Sequence, residues 1–356
     1  LQAMRILIPP AWQTVDNIDP AERAFDEVWD GQQDPWDGPA GLVLTDGHSA
    51  ACCLDRNGLR PARAVLTRDR HLTVASEVGV YDYDEKDVIE KGRLGPGEML
   101  AVDLVNGTLL DNDDIHDILK SRAPYKKWLK RGVRYLDSLL IDSRMAAEPF
   151  DAETLASYQK MFNLSREELR EVVSVIAKAE AEPVGSMGDD TPMAVLSQKI
   201  RSPFDYFRQQ FAQVTNPPID SLREQIVMSL QTNVGGESNM FEIGPHHAEQ
   251  VIIKSPVLSQ AKLRQLLGPD MFEDNHVFVD LNVDENLSLE EALDQICAQA
   301  EKGVRDGNLI VMLSDRYLEK GKLPVHALLA TGAVHHHLVH TGLRCDCNII
   351  VETGVA

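Results

Sequence analysis

The chain has 356 residues, of which 43% are hydrophobic and 26% are charged, as in an ordinary globular protein. Its 56 acidic and 35 basic side chains give a formal net charge of −21, which opposes binding to nucleic acids and to anionic membranes. No apolar run approaches the roughly 20 residues that cross a bilayer. We therefore expect no nucleic-acid partner and no membrane partner.

The cysteines and the first residues bear on the cellular compartment. The chain contains five cysteines, an odd and scattered set that does not indicate a disulfide framework and favours a reducing cytoplasm. The opening string LQAMRILIPPAW lacks the basic and apolar regions of a signal peptide. The chain opens on Leu1 rather than on methionine, from which we expect a fragment of a longer protein.

The first part of the chain has the pattern of antiparallel β-structure. Short apolar segments predict strands at residues 40–45, 64–67, 72–75 and 99–103. Dipeptides that favour tight hairpin turns separate them, namely Asp46-Gly47, Asn57-Gly58 and Asn106-Gly107. Residues 111–180 then change to a helical pattern, in which Ser165 and Glu168 predict a capping box. The string MAAEPFDAE interrupts both patterns, so we predict two domains, residues 1–145 and 146–356.

The last part of the chain alternates between strand and helix patterns. Apolar segments predict strands at residues 276–281, 309–313 and 348–351. Ser288 and Glu291 predict the start of a helix that stops near Gly307, and Pro324 is predicted to open a second helix. A β-α-β-α-β order implies parallel strands with helical crossovers, so we predict an α/β domain.

Three strings are rich in turn-forming residues. The string DRNGLRP at 55–61, followed by ASE at 75–77, favours a structural turn in which Gly58 adopts positive φ. The string EPVGSMGDDTP at 182–192 is rich in glycine, but it lacks the lysine of a P-loop and its two aspartates repel phosphate. We therefore interpret it as an ordered loop. The string TNPPIDSLRE at 215–224 reads as a loop that starts a helix.

Taken together, these strings resemble the glutamate synthase family over essentially the whole chain. The first resembles class II glutamine amidotransferases, and PWDGPA at 35–40 resembles their glutamate synthase branch. The second and third resemble the glutamate synthase central domain. The implied fold is the C-terminal part of an N-terminal-nucleophile hydrolase αββα sandwich, followed by an α/β central domain with parallel strands.

The resemblance also implies an activity for the full-length protein. Members of this family make two L-glutamate molecules from L-glutamine and 2-oxoglutarate, by glutamine hydrolysis, ammonia tunnelling and FMN-dependent reductive amination. Electrons pass through a 3Fe–4S cluster from an NADPH-oxidising small subunit or from ferredoxin. The implied partners are therefore that subunit or ferredoxin, and the remainder of the large subunit. We expect this segment alone to be inactive.

The resemblance places the catalytic residues, the FMN site and the cluster outside this segment. We therefore expect no catalytic, cofactor-binding or metal-binding residue within it. Matching by position to the family's tunnel mouth gives Gln210, Asn216 and Thr232 as candidate ammonia-tunnel residues. An amide and a hydroxyl suit such a path, because they neither protonate ammonia nor trap it as a carboxylate would. A purely structural role stays open for each of the three.

Other candidate residues favour structural interpretations. His335, His336 and His337 are consecutive on a predicted helix and point in different directions, while His336 and His340 could form only half of a zinc site. Cys52 and Cys53 lie in a strand pattern. Cys345 and Cys347 are predicted to share one face of a strand.

Two other classes of protein stay open at this stage. The chain could be a stand-alone scaffold or regulatory protein built from the same domains. A simple glutaminase such as an asparagine synthetase is a third possibility, but residues 185–192 and 216–224 do not match that class.

Overall fold

The computed structural model describes residues 1–33, 36, 38–136, 148–179, 192, 194–207, 229–269 and 271–355. The chain forms two compact units, each made from two stretches of sequence. The first unit contains Leu1–Asp137 and Thr215–Val257, and the second contains Ser138–Val214 and Leu258–Ala356. The domain boundary predicted between residues 145 and 146 stays a prediction. The packing also assigns the later stretch Thr215–Val257 to the first unit.

The first unit combines short helices with three small sheets. Its elements are α1 (Gln2–Leu7), α2 (Pro20–Asp30), β1 (Gly41–Thr45), β2 (Ser49–Leu54), β3 (Arg63–Thr67), β4 (Leu72–Ala75), β5 (Val88–Arg93), β6 (Met99–Asp103), β7 (Thr108–Leu110), α3 (Asn112–Lys120), α4 (Tyr125–Gly132), β8 (Arg134–Tyr135), β9 (Thr232–Gly235) and β10 (Gln250–Ile253). Two sheets are antiparallel, with strand orders β1-β2-β6-β7 and β4-β3-β5. The third has the order β8-β10-β9, and β8 is parallel to β10.

The predicted hairpin turns at Asp46-Gly47 and Asn106-Gly107 are confirmed, since they join β1 to β2 and β6 to β7. The hairpin prediction at Asn57-Gly58 is wrong, because this turn connects β2 and β3, which belong to different sheets. Gly47, Gly58 and Gly107 have φ values of +83°, +66° and +64°, which residues other than glycine rarely adopt. The helical prediction for residues 111–180 is wrong at Arg134–Tyr135, which forms strand β8. Its partner β10 lies more than 100 residues later in the chain, so tertiary pairing overrides the local pattern there.

Helices α1 to α4 pack their apolar faces with one side of the first sheet. Helix α2 begins at Asp19, whose side chain accepts a hydrogen bond from the amide of Ala21 at 2.8 Å, and Pro20 occupies its first turn. The buried stripe of α2 includes Phe25 and Trp29, four residues apart. Phe25 meets the ring of Tyr125 edge to face at 5.4 Å. This helix therefore anchors the core of the first unit.

The same helix also buries charge. Asp26 is only 3% exposed and lies near the guanidinium of Arg5, which is 1% exposed. Arg5 donates hydrogen bonds to the carbonyl of Gly97 at 2.8 Å and to Oδ1 of Asn112 at 3.0 Å. Burial raises the pKa of Asp26 to about 8 despite that nearby cation, and it raises the pKa of Asp30 to about 6.

The second unit is built around a parallel sheet. Its elements are α5 (Ala152–Met161), α6 (Arg166–Glu168), α7 (Ser174–Ala179), α8 (Gln260–Leu266), β11 (His276–Asp280), β12 (Asn282–Asp284), α9 (Leu289–Arg305), β13 (Ile310–Ser314), β14 (Lys322–Pro324), α10 (Ala327–His340) and β15 (Asn348–Glu352). Strands β11, β13 and β15 pair in parallel in that order, while β12 and β14 form a separate antiparallel pair. The predicted α/β order is confirmed. The capping boxes at Ser165 and Ser288 are confirmed as well.

Two local predictions for this unit are wrong. Pro324 does not open a helix; it lies in β14, where a proline is tolerated because a two-stranded ribbon leaves one edge unpaired. His326 instead begins α10, with Nδ1 accepting from the amide of Leu328 at 3.2 Å. Cys345 and Cys347 do not share a strand face. A 3₁₀ turn over Arg344–Asp346 leaves Cys345 exposed, and Cys347 is buried just before β15.

Two glycines within helices of the second unit predict opposite effects of alanine. A Cβ at Gly303 in α9 would lie 2.4 Å from Cγ1 of Val277, so Gly303→Ala should lower the free energy of unfolding by about 1–3 kcal/mol. At Gly332 in α10, no described atom outside the neighbouring backbone lies within 4 Å of the added Cβ. Gly332→Ala should therefore raise stability by up to about 1 kcal/mol. Urea unfolding of both variants measures this, and changes of equal sign would contradict it.

The buried carboxyl of Asp26 predicts that the first unit loses stability as pH rises. Its pKa is about 8 when folded and has an ordinary value of 3.8 when unfolded, so the folded state holds a proton that unfolding releases. The stabilising contribution is complete below pH 4 and is lost towards pH 8, at about 1.4 kcal/mol per pH unit for one proton. Asp26→Asn should reduce this slope, as measured by unfolding between pH 5 and 8. Asp16→Asn, an exposed position, is the control and should leave the slope unchanged.

Candidate functional site

Only one of the three candidate tunnel residues lies in a described part of the chain. Thr232 is the first residue of β9, is partly buried, and pairs with Ile253 of β10. Its hydroxyl donates a hydrogen bond to the carbonyl of Leu230 at 3.1 Å. Gln210 and Asn216 lie outside the described residues. The structure therefore gives a local environment for Thr232 alone.

Thr232 belongs to a segment that we call the strap, residues 232–253, which contains β9 and β10. Strand β10 is buried along its whole length and lies between β9 and β8. The amide of Leu136 donates to the carbonyl of Ile252 at 3.0 Å and extends the pairing with β8. The two isoleucines and Val251 favour this position, because β-branched side chains suit a strand that is buried on both faces.

The strap is fixed against the C-terminal end of α2 by side-chain contacts. Gln250 donates from Nε2 to the carbonyl of Gly31 at 3.3 Å. His247 is 1% exposed and packs on the ring of Trp29 at 4.8 Å. Gln32 contacts it twice: its Oε1 lies 2.9 Å from Nδ1 of His247, and its Nε2 donates to the carbonyl of His247 at 3.2 Å. These groups hold the strap in one place on α2.

Both ring nitrogens of His247 have a polar neighbour. Its Nε2 lies 2.7 Å from the carbonyl of Glu242. Burial lowers the pKa of His247, and the adjacent His246 acts in the same direction. Sequence reasoning missed this histidine, because the contacts that bury it come from residues more than 200 positions away. The local string GPHHAEQ carries no metal-ligand or catalytic spacing that would single it out.

The DRNGLRP string forms a loop organised by one buried carboxylate. Asp55 is fully buried and accepts hydrogen bonds from the backbone amides of Ala40, Asn57, Leu59 and Arg60, at 2.9–3.2 Å. A Cβ at Gly58 would lie 2.8 Å from Cγ of Pro96, so space as well as φ demands glycine there. The predicted structural turn is confirmed. Its carboxylate is occupied by backbone donors and serves to shape the loop.

The carboxyl ends of the parallel strands form a second polar cluster. In open α/β sheets this edge is the usual place for ligands. Here Ser314 donates to Oε2 of Glu352 at 2.8 Å, and Arg316 donates to Oε1 of the same carboxylate at 3.1 Å. Asp315 accepts from Thr353 and from the amide of Gly354, and burial raises its pKa. These groups pair mainly with one another, which is typical of a structural network.

The histidines of α10 also have separate partners. His335 accepts a hydrogen bond at Nδ1 from Nε of Arg344 at 3.0 Å, while Nε2 of His337 lies 2.6 Å from Oε2 of Glu301. They point in different directions, as consecutive helix positions require. Among the residues that the structure describes, no three or more histidine, cysteine or acidic side chains lie together as a metal site would need. Within the same ranges, no helix has the length and apolar character to cross a membrane.

Comparison with known proteins matches both parts of the chain. Residues 1–128 match the family of class II glutamine amidotransferases, and residues 157–356 match the glutamate synthase central domain. The strap lies wholly within the second match. The order of the two matches agrees with the fold class expected from the sequence.

Curated relatives span both regions. The ferredoxin-dependent glutamate synthase of Oryza sativa is 42% identical over 360 residues, covering 99% of this chain and 22% of the relative. A ferredoxin-dependent glutamate synthase of Synechocystis is 41% identical, and the glutamate synthase [NADPH] large chain of Bacillus subtilis is 36% identical, each with 99% of this chain and 23% of the relative covered. The chain thus spans between a fifth and a quarter of these relatives. It belongs to the glutamate synthase family and combines an amidotransferase class II region with a central-domain region.

Proposed function

We propose that this chain is the amidotransferase-to-central-domain portion of a glutamate synthase large subunit. The complete enzyme would make two L-glutamate molecules from L-glutamine and 2-oxoglutarate. The observation that carries the proposal is the succession of the two family matches in this chain, residues 1–128 and 157–356, and the named relatives that span both are glutamate synthases. Within this proposal the segment is structural and tunnel-forming, and alone it supports neither half-reaction.

The proposed contribution of Thr232 is to line the path of ammonia. Its hydroxyl hydrogen is already directed at the carbonyl of Leu230, so the oxygen presents its lone pairs to other donors. An ammonia molecule can donate a hydrogen bond to such an oxygen without gaining a proton. Gln210 and Asn216 are proposed as further amide contacts along the same path.

We propose that FMN and the 3Fe–4S cluster are held by other parts of the large subunit. A cluster requires several cysteine ligands close together, and no three or more histidine, cysteine or acidic side chains lie together in the described part of the chain. The buried thiols of Cys52 and Cys53 lie in the first unit and that of Cys297 lies in the second. The residues present therefore do not fit a cluster, and no step of the reaction is assigned to one here.

The proposed electron donor is either ferredoxin or an NADPH-oxidising small subunit, since relatives named for each donor match this chain over similar lengths. The proposed compartment is the cytoplasm. All five cysteines are free, which suits a reducing environment. The relatives from Oryza sativa and Spinacia oleracea are named as chloroplastic proteins.

The tunnel role predicts that a bulky side chain at residue 232 uncouples the two half-reactions. In the complete enzyme, Thr232→Leu should lower glutamine-dependent glutamate synthesis by roughly three- to tenfold, because it removes a hydroxyl contact and narrows the passage. Synthesis from added ammonia, which enters elsewhere, should change little. The measurement is the ratio of the two rates.

Two matched variants serve as controls for this experiment. Thr232→Ser keeps the hydroxyl and should retain the wild-type ratio, whereas Thr232→Val keeps the shape and tests the hydroxyl alone. An unchanged ratio in Thr232→Leu would exclude the tunnel role. An equal loss of both activities would identify the residue as structural.

A further inference from the structure

The family match of the strap and the unit in which the strap packs do not coincide. Residues 232–253 fall within the region that matches the central domain. They nevertheless pack in the same compact unit as residues 1–128, which match the amidotransferase family. The residue proposed to line the ammonia path is therefore carried by an element whose place is set by the amidotransferase-like unit.

The strap also contacts the end of α2 at Gly31. A Cβ built at Gly31 would lie 2.2 Å from Oε1 of Gln250, 2.8 Å from its Nε2, and 2.6 Å from Nδ2 of Asn233. The backbone of Gly31 has φ −81° and ψ −3°, which any residue adopts. A side chain at Gly31 would therefore meet the far ends of the Gln250 and Asn233 side chains, while the backbone itself accepts any residue. The two amides of the strap occupy the volume that a side chain would fill.

The hairpin connects this contact directly to Thr232. Gln250 begins β10 and Asn233 follows Thr232 in β9, and the two strands are in antiparallel register from Gln250↔Gly235 to Ile253↔Thr232. Two paired strands shift together, because a shift of one strand alone would break every ladder hydrogen bond between them. A shift of the Gln250 or Asn233 backbone would therefore be passed to Thr232 through one adjacent residue and four paired positions.

We propose that Gln250 and Asn233 are positioning residues, which set the place of Thr232 by closing on Gly31 of α2. This inference rests on the proposed tunnel role of Thr232. Neither amide touches the reacting groups in either half-reaction; both act through the strap. The close fit of the two amides at Gly31 links the amidotransferase-like unit to the proposed ammonia path. The hydrogen bond from Gln250 to the Gly31 carbonyl fixes the orientation of the Gln250 side chain.

The test substitutes the glycine rather than the amides. In the complete enzyme, Gly31→Ala must displace the Gln250 amide by roughly 1 Å to restore ordinary contact distance. The ratio of glutamine-dependent to ammonia-dependent synthesis should fall by about threefold, with the KM for glutamine unchanged. Hydrogen exchange in β9 and β10 should become faster, which reports the displacement independently of activity.

Two further variants make the result specific. Gln250→Ala removes the nearer of the two side chains that the new Cβ would strike, so Gly31→Ala should have a smaller additional effect in that background. Gly92→Ala lies in β5, where no described atom is within 4 Å of the added Cβ, and it should leave both readouts unchanged.

The outcomes separate the two proposals. Faster exchange in β9 and β10 with an unchanged rate ratio, in an enzyme whose Thr232→Leu variant does lower the ratio, would overturn the positioning role alone. No effect of Thr232→Leu on the ratio would overturn the tunnel role. Additive effects of Gly31→Ala and Gln250→Ala on the ratio would show that the contact does not position the strap.

Discussion

The first unit depends on the pairing of β10 with strands on both of its sides. β10 hydrogen-bonds in parallel to β8, at the end of the N-terminal stretch, and in antiparallel to β9 of its own hairpin. Because β8 is short, its parallel pairing with β10 supplies few hydrogen bonds. The remaining stability of this pairing comes from burial of the apolar side chains of β10. The end of α2 and the imidazole of His247 pack in the same region, so helix, sheet and loop contact one another there.

The first unit also buries ionisable side chains beside its apolar core. Helix α2 presents its aromatic residues to the core and also buries Asp26 beside Arg5. With a pKa of about 8, the Asp26 carboxyl is protonated near neutral pH, so it forms no ion pair with Arg5 there. The carbonyl of Gly97 and the amide of Asn112 still fix the guanidinium in one orientation. The arrangement thus specifies how α1, α2 and α3 meet, rather than how strongly.

The features that the sequence predicts well are those determined within a few residues. The capping boxes at Ser165 and Ser288 depend on residues three positions apart, and the turn at Gly58 depends on a local φ requirement. The order of parallel strands follows from the alternation of patterns. Strand β8 and the position of Pro324 could not be predicted, because their pairing partners lie 40 to more than 100 residues away in the chain.

The candidate site was only partly predictable for the same reason. Only the family resemblance singles out Thr232, which the structure then places at the start of β9. The contact of Gly31 with Gln250 joins residues more than 200 positions apart, and neither belongs to a recognisable motif. The Asp55 loop was predictable as a turn, but the four backbone donors on its carboxylate include one from Ala40, outside the string.

The late arrival of β10 has a consequence for synthesis on the ribosome. More than 100 residues separate Tyr135 from its partner Ile252. At typical translation rates of about 5–20 residues per second, β8 emerges roughly 6–23 s before the strand that pairs with it. During that interval the nascent N-terminal stretch shows an unpaired strand edge and an uncovered apolar surface on α2 and α4. Exposed apolar surface and unpaired strand edges are prone to aggregation, so the discontinuous unit implies an interval during synthesis in which the nascent chain carries that risk.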